Sequence, residues 1–81
     1  MNLLLLGTIG CHLCEEADVI VAACDKKNTV IENIDIAEHE QWQDKYAIRI
    51  PVLYHPETEK ELGWPFTQMQ VQTFINELNN D

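Results

Sequence analysis

With 81 residues the chain has room for one small domain with a single core, and too few for two. Lys and Arg total 5 against 14 Asp and Glu, a formal net charge of −9, so phosphates are repelled and neither nucleic acid nor anionic lipid is expected as a partner. A composition that is 46% hydrophobic, with 3 Gly, 3 Pro and no low-complexity tract, is that of a globular chain, and a monomer is expected.

The first apolar run spans Asn2 to Leu6 and is bounded by Gly7 and Gly10, which fits a short buried strand. It has no basic segment before it and is only a few residues long, so it reads as neither a signal peptide nor a membrane span, and a cytoplasmic location is the default expectation. From Leu13 onward Cys14, Ala17, Ile20, Val21 and Cys24 recur at spacings of three and four, one face of an amphipathic helix whose start carries Glu15, Glu16 and Asp18. "TVIENIDI" alternates and predicts a second strand with Val30, Ile34 and Ile36 inward. Strand, helix and strand in this order imply parallel pairing through a right-handed crossover.

A short polar helix with Trp42 and Tyr46 four apart follows. "IPVLYHPETEKELGW" then predicts a hairpin turning around His55, Pro56 and Glu57. Val71, Phe74, Ile75 and Leu78 place a last helix from near Thr67 to the polar residues Asn79 to Asp81. The order is βαβαββα.

The chemistry concentrates in Cys11 and Cys14. A cysteine between a strand and the first turn of a helix faces unpaired N–H groups and the positive end of the dipole, both of which favour thiolate over thiol. Cys11 is thus placed as a nucleophile. Cys14, one turn on and more buried by its place on the apolar stripe, is within reach to resolve a mixed disulfide formed at Cys11. His12 adds local positive charge when protonated, tuning the thiol. Cys24 reads as packing, and His39 and His55 as solvated surface residues. Three cysteines cannot all pair within one chain, and in a reducing compartment a structural disulfide framework is not expected. Two other readings of the pair stay open on spacing alone: a thiolate site for zinc or copper(I), and simple packing in an interaction module.

"RIPVLY", a proline opening a strand, completes a pattern. With "CHLC" at the front of the first helix and "LGWPF" near the end, in the order βαβαββα, the chain resembles the glutaredoxin-like family of the thioredoxin fold, an α/β architecture with a four-stranded mixed sheet and three helices. The resemblance implies a cis peptide between Ile50 and Pro51, with that loop beside the thiols and its backbone pairing with a bound peptide or glutathione. It implies a thiol–disulfide oxidoreductase for protein disulfides or glutathione mixed disulfides, working through a redox-active Cys11–Cys14 pair, with no metal or organic cofactor and with glutathione as a candidate co-substrate. Arg49 is the basic residue near the proline loop available for a substrate carboxylate, Thr67 offers a helix cap or a ligand hydroxyl, and Trp64 and Phe66 offer an apolar rim. The basic residue that glutaredoxins often carry before the first cysteine is absent here, where Thr8, Ile9 and Gly10 stand, and "LGWPFTQ" replaces their Gly-Gly turn.

Overall fold

The computed structural model describes residues 1–79, so the expected helix end at Asn79 to Asp81 falls partly outside them. Its elements are β1 (Asn2–Gly7), α1 (His12–Ala22), β2 (Val30–Asp35), a 3-10 turn (Ile36–Glu38), α2 (Glu40–Tyr46), β3 (Val52–His55), β4 (Lys60–Gly63) and α3 (Gln68–Asn79). The sheet order is β2-β1-β3-β4, with β1 parallel to β2 and antiparallel to β3, and β4 antiparallel to β3. This is the mixed four-stranded, three-helix α/β fold expected from the sequence.

A central strand covered on both faces needs a continuous apolar run rather than alternation, and β1 supplies it. Leu3 and Leu5 point to one face, where they pack with Ala17 and Val21 of α1, Leu53 of β3, and Val71, Ile75 and Leu78 of α3. Leu6 points to the other, with Ile36, Tyr46, Val52 and Tyr54, and Leu4, Ile34, Trp42 and Ile50 pack against that cluster. The result is three layers, α1 and α3 over the sheet and α2 beneath it.

The inward set expected for β2 needs one correction. Val30 is exposed, and Ile31 is the residue that packs with the α1 and α3 layer. β2 is an edge strand, and on its other face the 3-10 turn and α2 reach only its C-terminal end, where Ile34 and Ile36 pack. A second departure is at α1, which ends at Ala22, so Cys24 lies past the helix, still buried in the same cluster.

Candidate functional site

β1 ends at Gly7, and the chain turns through Gly10 at φ 79°, a left-handed conformation that glycine adopts without penalty, to present Cys11 as the N-cap of α1. The Cys11 sulfur accepts the backbone N–H of Cys14 at 3.2 Å, taking the place that a serine or aspartate oxygen usually fills at a helix start. Cys11 and Cys14 are joined as a disulfide, their Cα atoms 5.2 Å apart. Both are half-buried, so they differ in surroundings more than in exposure. Cys14 packs against the end of β1: a methyl built on Gly7 would stand 3.0 Å from its Sγ and 3.2 Å from its Cβ. Cys14 also borders a cavity of about 240 Å³ whose walls include Thr8 and Asp35, and the Thr8 hydroxyl donates to the Asp35 carboxylate at 2.9 Å.

A groove of about 460 Å³ is lined by Leu13, Ile48, Arg49, Ile50, Gly63 and Trp64. Leu13 lies between the two cysteines in sequence, which brings the groove to the redox pair. The loop from α2 to β3 forms one wall, held by the Arg49 and Ile50 N–H groups on the Tyr46 carbonyl at 2.8 and 3.1 Å, and by the Trp64 N–H on the Pro51 carbonyl at 3.2 Å. The Ile50–Pro51 peptide is cis, and so is Trp64–Pro65, for which the sequence carried no expectation.

Behind the groove wall is a charged network. The Tyr46 hydroxyl donates to one oxygen of Glu61 at 2.6 Å, and the Arg49 guanidinium pairs with the other while stacking over the Tyr46 ring, 5.0 Å from its centroid. Burial, reinforced by the bond to Glu61, pushes the Tyr46 hydroxyl up to about 12. The same bond, with Arg49 adding to it and outweighing burial, holds the Glu61 carboxyl below its ordinary range. Glu61 is a site residue that sequence reasoning missed, because only the pairing of β3 with β4 brings it opposite Tyr54 and next to Arg49.

Residues 2–76 match the family model of the glutaredoxin-like domain (DUF836). The chain belongs to the glutaredoxin-like family. Among solved structures it is similar to the X-ray structure of a Northeast Structural Genomics target protein from X. campestris, at 27% identity and a TM-score of 0.79, covering 93% of this chain and 96% of that one. None of the curated proteins matches it.

In this glutaredoxin-like chain the other expected site residues distribute unevenly. Trp64 lines the groove and also packs edge-to-face on Phe66, which is core rather than rim. Arg49 lines the groove, its Nη2 paired with Glu61 and its side chain 42% exposed. His12 is 85% exposed, and its ring lies 3.9 Å from Glu15 and 3.8 Å from Glu16, so any charge it carries is answered by two carboxylates along the helix. Thr67 is not beside the thiols. Its hydroxyl accepts the Gln70 N–H at 3.1 Å while the Gln70 side chain accepts the Thr67 N–H at 2.8 Å, a reciprocal cap on α3. The first residue of that helix, Gln68, is bonded to Ala23 and Cys24 at the far end of α1, roughly 16 Å of helix away from Cys11.

His55 was expected at the surface and is instead 3% exposed, as the last residue of β3, with its Nδ1 and the Thr58 hydroxyl 2.7 Å apart. Strand β3 is buried along its whole length because helices cover both faces, which overrides the polar neighbours in sequence. His39 is exposed. Among the described residues no three His, Cys, Asp or Glu side chains are grouped to hold a metal ion, and no helix is long and apolar enough to cross a membrane.

Proposed function

We propose that this protein is a thiol–disulfide oxidoreductase of the dithiol type, acting on protein disulfides or mixed disulfides as a monomer in a reducing, cytoplasmic compartment. The observation that carries the reading is the Cys11 sulfur at the N-terminus of α1, bonded to a helix amide and paired with Cys14, with Leu13 between them lining a groove. In the reduced protein that amide and the dipole favour thiolate at Cys11. The Cys11 thiolate attacks one sulfur of a substrate disulfide, the substrate S–S bond breaks, and the other substrate sulfur leaves as thiolate and takes a proton. The Cys14 thiolate then attacks the Cys11 sulfur of the mixed disulfide, expelling the second substrate thiol. Two electrons have passed from protein to substrate, and the protein is left as its Cys11–Cys14 disulfide.

Gly7 supports the second step. Without a side chain it lets Cys14 sit against the end of the central strand, which holds the resolving sulfur within reach of Cys11. The walls of the groove, with the Ile50–Pro51 segment and Trp64, are the surface on which a substrate chain would lie. Glutathione is a candidate co-substrate, disfavoured by the net charge of −9.

The test is a thiol titration of the reduced protein before and after a mild disulfide oxidant, with zinc(II) and copper(I) arms in parallel. Loss of two thiols per chain, full recovery with a dithiol, and indifference to either metal are expected. Tight stoichiometric capture of a metal by the reduced pair, with no exchange, would replace this reading with a metal carrier.

A further inference from the structure

The groove beside the disulfide has a single charged residue among those that line it, and that charge is already answered. Arg49 pairs with Glu61, and Glu61 is not a loose surface carboxylate: its second oxygen accepts a hydrogen bond from the hydroxyl of Tyr46, whose side chain is fully buried. The guanidinium is sandwiched between this anchored carboxylate and the Tyr46 ring. The pair engages only Nη2 of the guanidinium, but it cancels the charge: a substrate carboxylate reaching Arg49 meets a neutral ion pair, with the Glu61 carboxylate beside it, rather than a free cation. The rest of the lining is apolar, with Ile48 97% exposed on the rim.

We propose that Glu61 is the specificity-determining residue of this groove: by occupying Arg49 it directs the protein toward disulfides flanked by uncharged or apolar groups and away from disulfides that carry carboxylates. The proposal rests on the oxidoreductase reading and names its substrate class. Glu61 acts through Arg49 and touches neither sulfur, so it is a positioning residue, and its signature is a change in charge preference rather than a general change in rate.

The experiment measures the rate at which the reduced protein is oxidised by glutathione disulfide, and by the same disulfide with its carboxylates esterified, at low and high salt. The parent is expected to react faster with the ester, and the difference is expected to survive high salt because its cause is local. In Glu61→Gln the free acid should gain about tenfold, the lower value of one charge-assisted hydrogen bond, while the ester changes little. Adding Arg49→Ala to Glu61→Gln should remove the gain, and Glu61→Asp, which keeps the charge, should stay close to the parent. A parent that prefers the free acid overturns the proposal even where the variants fail to fold. So does a Glu61→Gln protein in which both rates move together or neither moves. A parent that exchanges with neither disulfide overturns this inference, whereas the oxidoreductase reading falls only if the thiol titration above also shows no reversible oxidation.

Discussion

The two ends of α1 hold the same side chain in opposite circumstances. At the N-terminus, Cys11 receives a backbone N–H and is half-buried, two residues ahead of the groove residue Leu13. At the C-terminal end, Cys24 is buried, its Sγ directed at the carbonyls of Ile20 and Gln68 at 3.4 and 3.6 Å. One end offers hydrogen-bond donors to a sulfur anion, whereas the other offers acceptors that only a protonated thiol satisfies. Burial pushes the Cys24 thiol up, with nearby Lys26 opposing it weakly. The pair of ends teaches that reactivity here follows a cysteine's surroundings, a donor and partial exposure at one end against acceptors and burial at the other, because the residue type is the same.

Alkylation of the reduced native protein is the sharpest way to break this comparison. Cys11 should be modified at least about tenfold faster than Cys24, which should label only on unfolding. Equal rates, read by mass spectrometry of peptides, would mean that the helix terminus confers nothing. The corresponding variants carry the same contrast into function: Cys11→Ser abolishes exchange, and Cys14→Ser accumulates a mixed disulfide.

A smaller effect is expected at Gly7. Alanine there would place a methyl 3.0 Å from the Cys14 sulfur, so Cys14 or the strand end must move, at a cost of about 1–3 kcal/mol. Resolution of the mixed disulfide should slow while the first attack by Cys11 does not, a split that single-turnover kinetics detects. An unchanged resolving rate would show that the close approach has no consequence for chemistry.

Thr67→Ala works at the Cys24 end. Loss of the reciprocal cap should cost about 1 kcal/mol, seen as a fall of roughly 4–8 °C in Tm, with disulfide exchange intact because α3 begins at the far end of α1. A loss of exchange without unfolding would return Thr67 to the substrate site.

The smallest effect is in acid. The folded-state pKa of Glu61 is depressed, so its contribution to stability is present above the ordinary carboxyl range and is lost as pH falls through the lowered value. Between about pH 5 and pH 3 the parent should therefore lose more Tm than Glu61→Gln does. Parallel curves for the two proteins would remove Glu61 from the electrostatics of the fold.

Local pattern made the element order and the Cys11–Cys14 pair legible. The run Leu3–Leu6, the stripe through Ala17 and Val21, and the thiols at a strand-to-helix junction are all short-range signals. What stayed hidden depends on tertiary docking. Thr67 stood as either a helix cap or a ligand hydroxyl, and the end of α1 on which its helix lands, which separates the two, is set by packing across the sheet. Arg49 was visible as a cation, whereas its partner Glu61 comes from a strand that pairs only after the hairpin closes. His55 looked exposed among Pro56, Glu57 and Glu59 because nothing local reveals that helices cover both faces of its strand.

The two apolar clusters on opposite faces of the sheet meet at the groove. Trp64 packs with the layer formed by α1 and α3, and Ile50 with the layer formed by α2, so the walls of the groove are rooted in separate cores. Substitutions that reshape one wall can be absorbed within its own layer, with the sheet standing between it and the other. Substrate preference in such a molecule is adjustable one wall at a time, and a lineage or a designer can retune the Arg49 side without repacking the helix that carries the disulfide.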